Sequence, residues 1–183
     1  MNKKVLFVVT IILGVFSSAK AQVAISDYVP LQKGFNSFQW FPYVAIMTND
    51  GDSFQLIMRN PDTHDYKHIP TNGKLLVKFA NDSIITLHHT EYEQQRDHLV
   101  GNYGRNGVLY FTFDSYYIED IDYFLNNAIA KVRVELANYD YFDFEIKASD
   151  QRGLMERLNK AYEECIAIYS ERRDKRENFD EGF

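Results

Sequence analysis

Apolar and polar residues alternate in several short stretches of the chain, and turn residues separate these stretches. Residues 44–48 and 53–59 flank an Asp-Gly turn at 49–52, and Asp-Gly between two apolar stretches is a strong signal of a β-hairpin. A second pair of alternating stretches, at 75–80 and 83–88, surrounds an Asn-Asp pair. The pattern therefore predicts two antiparallel hairpins in the first half of the chain.

The pattern changes in the middle of the chain. Residues 90–107 are polar and rich in glycine and predict a loop, and residues 108–113 predict another strand. Over residues 116–127 the apolar side chains recur every three or four positions, which predicts a helix. Asp114 and Ser115 are suitable caps for the start of that helix.

Two further strands, at 131–136 and 142–147, alternate apolar with charged residues. A two-residue loop between them would pair Val134 with a charged residue, whereas a three-residue loop at 138–140 pairs it with Phe144. Because one face of the hairpin must be apolar, we expect the three-residue loop. Each strand then has one face in water, which is typical of an antiparallel sheet that is covered on one side.

A long helix is predicted from Ser149-Asp150 to about Arg173, because apolar residues recur along it at helical spacing. Its inner face consists of Leu154, Leu158, Ala161 or Tyr162, Cys165, and Ile168 or Tyr169. The residues from about 174 onward are almost all charged, which predicts a frayed and solvated end. The elements together predict an α+β fold, a mostly antiparallel β-sheet of hairpins with two helices packed on one face, the second being the long C-terminal helix.

The start of the chain has the three parts of a signal peptide. A basic beginning precedes an apolar stretch at 5–16, and Ala19 and Ala21 supply the small residues of a cleavage site. The apolar stretch is too short to cross a bilayer, which needs roughly 20 residues. We therefore expect residues 1–21 to be removed and residues 22–183 to form a single α+β domain that is exported, either periplasmic or secreted.

The net charge of the predicted exported domain excludes some classes of binding partner. The full chain carries a formal charge of −6, and removal of the three lysines within residues 1–21 makes it −9. Such an acidic chain repels the phosphates of nucleic acids, and nothing after residue 21 is apolar for long enough to span a membrane. The partners that we expect are therefore an envelope protein or a small ligand.

Sequence signatures of catalysis are absent from the predicted exported domain. It contains no Gly-x-Ser-x-Gly, no Ser-x-x-Lys, no His-Glu-x-x-His and no phosphate-binding glycine motif, so we expect neither catalytic residues nor a cofactor. The single cysteine, Cys165, cannot form a disulfide within the chain and is expected to be a small buried side chain. Carboxylates are plentiful, and a pair of them in a cleft is the open alternative. The two acidic clusters are Asp114, Glu119, Asp120 and Asp122, and Asp140 with Asp143.

One short segment has candidate metal ligands. Asp62, His64, Asp65 and His68 lie within seven residues, and the two histidines would share a face on a helix. Prolines bracket the segment, however, and favour a loop with solvated histidines.

Exposed tyrosines are the candidate binding residues. Tyr116, Tyr139 and Tyr141 fall at predicted turns or on the solvent face of predicted strands. Aromatic side chains in such positions can stack on sugars or dock a protein partner. Ordinary packing in the fold is the alternative interpretation.

Residues 74–170 contain a series of structural motifs. They are GKLLVKF at 73–79, DSIITL at 82–87, YIEDI at 117–121, IAKVRV at 129–134 and FDFEIK at 142–147, followed by the closing helix. In these motifs the chain resembles small exported bacterial proteins of uncharacterised function. The resemblance implies a periplasmic, cell-envelope or secreted setting and a helix–strand–strand–helix ending, and it carries over no catalytic residues.

The leading hypothesis from the sequence is an exported, non-enzymatic protein that binds a partner or ligand in the cell envelope. It combines an acidic domain, exposed tyrosines and the absence of catalytic motifs. The alternative is a carboxylate-dependent glycan hydrolase, motivated by the acidic residues near tyrosines.

The predicted cleavage site can be tested directly. When the full chain is expressed in a bacterial host, we expect the exported form to begin at Gln22, because Ala19 and Ala21 satisfy the small-residue requirement of the site. N-terminal sequencing and intact mass of the periplasmic and secreted fractions would measure this. Recovery of only the uncleaved chain, beginning at Met1, would contradict the prediction.

Overall fold

The strands join into one antiparallel sheet, which has ten strands among the residues that the structure describes. The structure is a computed structural model, and it describes residues 23–31, 43–62, 73–90, 97–100, 108–135 and 141–181. The strands are β1 (Ala24–Ile25), β2 (Val29–Pro30), β3 (Tyr43–Thr48), β4 (Phe54–Asp62), β5 (Lys74–Phe79), β6 (Ile84–His89), β7 (Asp97–Val100), β8 (Val108–Ile118), β9 (Ile129–Glu135) and β10 (Tyr141–Glu145). The helices are α1 (Ile121–Asn126) and α2 (Ala148–Glu181).

The strands follow the order β1-β3-β4-β8-β6-β5-β9-β10, while β2 pairs with β3 and β7 pairs with β8. Every described pairing is antiparallel. The longest one, between β4 and β8, extends from Phe54 opposite Ile118 to Asp62 opposite Tyr110. The arrangement confirms the predicted α+β class with its mostly antiparallel sheet and long C-terminal helix.

One apolar cluster holds the sheet and both helices together. On β5, every second side chain is buried in it, at Leu75, Val77 and Phe79. Phe124 and Leu125 of α1 join the same cluster. The predicted inner face of α2 is confirmed, since its buried residues are Leu154, Leu158, Ala161 and Cys165. We call this side of the sheet the core face. Each fully buried leucine there stabilises the folded protein by about 1.5–3 kcal/mol relative to an exposed one.

Both predicted hairpins in the first half of the chain are confirmed. Thr48 lies opposite Phe54 across the first turn, and Lys78 lies opposite Ile84 across the second. In the second turn Asp82 adopts a φ of 66°, a left-handed conformation that aspartate tolerates better than most residues.

The turn of the first hairpin is fixed by one carboxylate and one glycine. Asp50 Oδ1 accepts hydrogen bonds from the backbone N–H groups of Asp52 and Ser53, at 2.9 and 2.7 Å. These bonds hold the pKa of Asp50 below its ordinary value. Gly51 follows with a φ of 87°, and a side chain at this position would meet the ring of Tyr169 on α2.

The predicted register of the last hairpin is wrong by two residues. Val134 lies opposite Phe142 rather than Phe144, and Arg133 lies opposite Asp143. A shift of two keeps each side chain on its own face of the sheet, so apolar residues still pair with apolar residues. The observed register also brings the guanidinium of Arg133 against the carboxylate of Asp143.

The helix predicted over residues 116–127 begins later than expected. Strand β8 continues through the predicted start as far as Ile118. Its residue Tyr116 is fully buried on the core face, and this burial favours the strand over the helix. The helix starts after Asp120, whose side chain accepts a hydrogen bond from a backbone N–H of the first turn. Asp114 and Ser115 therefore lie within the strand and do not cap a helix.

The loop predicted at 90–107 contains a strand. Residues Asp97–Val100 form β7, which pairs with β8 from Asp97 opposite Phe111 to Val100 opposite Val108. The polar sequence around this strand conceals it, because only two of its four residues are apolar.

The long helix extends beyond its predicted end near Arg173, while fraying from about residue 174 stays a prediction. Helix α2 continues to Glu181, and residues 171–178 are exposed along it. Ion pairs four residues apart support this segment, such as Glu171 with Lys175 at 2.6 Å.

The predicted signal peptide at 1–21 lies outside the described residues and stays a prediction. The predicted three-residue loop at 138–140 does not fit the observed register, because Tyr141 lies opposite Glu135 rather than opposite residue 137.

The tight contact at Gly51 makes a stability prediction. An alanine at position 51 would place its methyl group 2.7 Å from Cε1 of Tyr169. Its backbone would also have to keep the positive φ of Gly51. We expect Gly51→Ala to lower the free energy of unfolding by about 1–3 kcal/mol, as measured by urea denaturation.

Gly153 provides the matched control for this substitution. It lies within α2, where the nearest atom to an added methyl is Arg157 Nη1 at 3.4 Å. Gly153→Ala should therefore raise the stability by up to about 1 kcal/mol, because alanine favours the helix. Equal stability of the two variants would refute the role of the Gly51 turn.

Candidate functional site

The side of the sheet opposite the core face is polar over β5, β6, β9 and β10, and we call it the outer face. On β5, Lys74, Leu76 and Lys78 alternate with the buried residues and are exposed or half-buried. The same alternation places Lys131 and Arg133 of β9 on the outer face. The face is thus the reverse side of the strands that build the core.

Cross-strand pairing arranges these side chains in three rows. The rows, read from β6 towards β10, are His88, Lys74, Glu135 and Tyr141; Thr86, Leu76, Arg133 and Asp143; and Ile84, Lys78, Lys131 and Glu145. Aromatic, cationic, anionic and hydroxyl groups therefore lie within a few strand widths of one another.

A groove of about 580 Å³ lies in this face. Its lining residues are Lys74, Leu76, Thr86, His88, Arg133, Glu135 and Tyr141. A neighbouring hollow of about 310 Å³ shares Leu76 and Arg133 with it and continues to Lys78, Ile84 and Lys131. The two depressions form one surface whose apolar floor is Leu76.

Arg133 is held in place by a two-point ion pair. Its Nε and Nη2 atoms donate to the two carboxylate oxygens of Asp143, at 2.6 and 2.8 Å. Lys131 Nζ lies 2.7 Å from Asp143 Oδ2 and 3.5 Å from Glu145 Oε1. Hydrogen bonds from Arg133, together with those from Lys131, lower the pKa of Asp143 to about 2.

Tyr141 extends this cluster into the groove. The guanidinium carbon of Arg133 lies 4.0 Å from the centre of the Tyr141 ring, which is a cation–π contact. Tyr141 as a residue is still 52% exposed. A guanidinium fixed by Asp143 and an adjacent exposed ring form a rigid polar and aromatic platform.

Basic and hydrogen-bonding groups form the opposite end of the groove. Lys74 and His88 lie directly opposite each other on β5 and β6, and both are exposed. Within the described part of the chain, neither side chain has a carboxylate oxygen within 4.0 Å. Glu135 Oε2 accepts a hydrogen bond from the backbone N–H of Lys74 at 3.1 Å, which fixes this carboxylate beside them.

The structure separates the three tyrosines that the sequence brings together as binding candidates. Tyr141 is exposed and lines the groove. Tyr116 is fully buried on the core face, so its predicted exposure is wrong; β8 continues through this position and turns the ring inwards. Tyr139 lies outside the described residues.

The candidate metal ligands cannot be assembled from the described residues. His64, Asp65 and His68 lie outside the described ranges, and only the backbone of Asp62, at the end of β4, is described. Elsewhere in the described ranges no group of three or more His, Cys, Asp or Glu side chains could hold a metal ion.

The acidic cluster predicted around Asp114 is divided by the fold. Asp114 is completely buried, and its Oδ1 lies 3.5 Å from Nε2 of His89, whose ring packs edge-on against Tyr116. Asp120 instead caps α1, at the surface. The first acidic cluster therefore does not form one carboxylate site.

Cys165 behaves as the sequence predicts. It is buried, and its Sγ donates to the backbone oxygen of Ala24 at 3.4 Å. Burial raises the pKa of the thiol to about 11. A thiol with this pKa stays protonated at neutral pH, and the thiolate is the reactive form.

The sequence analysis did not identify Lys74, His88, Arg133 or Glu135 as site residues. The signal for them was their place on the polar side of alternating strands. That pattern shows which residues share a face but not which strands are neighbours, and the pairing of β5 with β9 creates the groove.

Comparisons of the chain with protein-family models, with curated proteins and with solved structures found no match. Among the described helices, none is both long enough and apolar enough to cross a membrane.

The ion pair at Asp143 predicts a pH dependence of stability. Its pKa of about 2 in the folded protein lies below the value near 3.9 of an unfolded aspartate, so the carboxylate stabilises the fold above roughly pH 4. This stabilisation is lost as the pH falls from about 4 towards 2. We expect Asp143→Asn to lose less stability than the original protein over this interval, as measured by urea denaturation at each pH.

Glu163→Gln serves as the control, because it removes a carboxylate from an exposed position of α2. This variant should keep the acid-dependent loss of stability of the original protein. The same loss in Asp143→Asn would show that the ion pair does not contribute to it.

Proposed function

We propose that this protein is an exported, non-enzymatic protein that binds a partner or ligand in the cell envelope, and that the groove on the outer face is its binding site. The observation that carries the proposal is the groove itself, about 580 Å³ in volume and lined by cationic, aromatic and hydroxyl side chains. Ligand sites have volumes of roughly 300–1,000 Å³ and combine an apolar surface with a few oriented polar groups.

The rigidity of the platform supports this function. Asp143 fixes the guanidinium of Arg133, which in turn contacts the ring of Tyr141. A partner that binds there meets side chains that are already ordered, so less conformational entropy is lost on association. Tyrosine and arginine are also the residue types that contribute most often to binding energy at interfaces.

The alternative, a carboxylate-dependent glycan hydrolase, needs two carboxyl groups that face each other across a cleft. In the described groove the lining carboxylate is Glu135, while Asp143 is occupied by Arg133 and Lys131. A carboxylate with a pKa of about 2 is a poor general acid at neutral pH. The described geometry therefore favours binding.

A matched pair of aromatic substitutions tests the site. Tyr141 and Phe142 are neighbours on β10 with equal exposure, 52% and 53%, but they lie on opposite faces of the strand. Thermal unfolding would be measured with glycans, cell-wall fragments, lipids and divalent metals, with chelator controls. A ligand at 100 times its dissociation constant stabilises the folded protein by about 2.7 kcal/mol, which raises the melting temperature by several degrees.

We expect a ligand-dependent shift that Tyr141→Ala abolishes and Phe142→Ala retains. A shift lost only in Phe142→Ala would place binding on the core-face side of β10 and contradict the proposed site. Turnover of a glycan, peptide or ester that a single carboxylate substitution abolishes would instead establish the hydrolase.

A further inference from the structure

The charges of the outer face are neutralised unevenly. Lys78, Lys131 and Arg133 each have a carboxylate within 2.8 Å, supplied by Asp82 and Asp143. At the other end of the groove, the described residues place no carboxylate within 4.0 Å of Lys74 Nζ or of the His88 ring, although the two side chains lie opposite each other. Two basic side chains in opposite positions of a sheet disfavour each other when both are charged. An anionic group bound between them would relieve this contact and form charge-assisted hydrogen bonds.

The position of the groove restricts the kind of molecule that carries the anion. The groove lies on the face of the sheet, where the backbone groups of β5 and β9 pair with a neighbouring strand on both sides. A peptide bound as an added strand would need free backbone groups at a sheet edge. Over β5 and β9, recognition in the groove must therefore come from side chains.

The lining side chains suit a ligand with many hydroxyl groups. Thr86 is both a donor and an acceptor, Glu135 is an acceptor, and the guanidinium of Arg133 has five N–H donors, of which Asp143 occupies two. The exposed part of the Tyr141 ring offers an apolar surface beside these groups. A sugar ring presents hydroxyl groups at its rim and C–H groups on its faces, which matches this mixture.

We infer that the ligand of the groove is an acidic oligosaccharide, a chain of sugar units that carry carboxylates. A sugar ring lies against Tyr141 with its hydroxyl groups near Thr86 and Glu135, and a carboxylate binds between Lys74 and His88. The inference rests on the proposed function and specifies the ligand class. The whole chain carries a formal charge of −6, so its net charge does not attract an anionic ligand. The attraction must come from the basic side chains of this groove.

The test uses oligogalacturonate and its fully methyl-esterified form, in which each charged carboxylate is replaced by a neutral methyl ester on the same sugar chain. Titration calorimetry with the purified protein should show binding of the acid form and roughly tenfold weaker binding of the ester, as expected for loss of a charge-assisted hydrogen bond. Raising the salt concentration should weaken binding of the acid form and leave binding of the ester almost unchanged.

Two lysine substitutions provide the control. Lys74→Gln should weaken binding of the acid form roughly tenfold, whereas Lys160→Gln, at an exposed position of α2, should leave it unchanged. Circular dichroism would confirm that both variants are folded. Equal affinity for acid and ester, no binding of the acid form, or no effect of Lys74→Gln would each overturn the inference.

These failures can be distinguished from failure of the proposed function. If oligogalacturonate does not bind but another ligand gives a thermal shift that depends on Tyr141, the groove is a binding site for a different ligand class. If no ligand or partner depends on Tyr141, the proposed site itself is wrong.

Discussion

Apolar side chains of α2 insert into the core face of the sheet, and this contact determines which residues of the strands are left in water. Leu154, Leu158 and Cys165 pack against the same cluster as Val77 and its neighbours on β5. Because side chains alternate along a strand, burial of one set fixes the other set on the outer face. The groove is therefore a consequence of the same register that builds the core, and a slip of one residue would destroy both.

The outer face is stabilised by a different kind of interaction. Asp143 lies between Arg133 and Lys131 on the neighbouring strand, and Arg133 in turn contacts the ring of Tyr141. Exposed ion pairs contribute little to stability one at a time, typically up to about 1 kcal/mol. Their main effect here is geometric, since they restrict a flexible arginine to one orientation beside the groove.

Much of the fold could be predicted from the sequence, because hairpins and the long helix leave strong local patterns. The turn at Gly51 and the apolar stripe of α2 are examples. Tyr116 was misassigned because a strand that leads directly into a short helix produces apolar spacing of three and four by coincidence. The predicted register of β10 was wrong because Arg133 can lie opposite Asp143 or Glu145, depending on the length of the loop, and local alternation does not distinguish registers that differ by two residues.

The candidate site was harder to predict than the fold. Lys74 and Arg133 are far apart in the sequence and become neighbours only through the pairing of β5 with β9. Of the binding residues proposed from the sequence, Tyr141 lines the groove and Tyr116 is buried. Exposure of an aromatic residue depends on the face of the sheet that it occupies, and that face depends on long-range pairing that an isolated stretch of sequence does not encode.

The length of α2 gives its two ends different dynamics. With 34 residues the helix extends about 51 Å, yet its apolar contacts with the core end near Tyr169, which lies against Gly51, and Arg172 adds a hydrogen bond to the backbone oxygen of Val23. Beyond that point its exposed turns are supported by ion pairs along its own surface, such as Glu171 with Lys175. Backbone amides of these last turns should exchange with solvent through local fraying, whereas amides around Leu158 open only when the whole sheet unfolds. We therefore expect α2, although it is one continuous helix, to behave as two separate units in a hydrogen-exchange measurement.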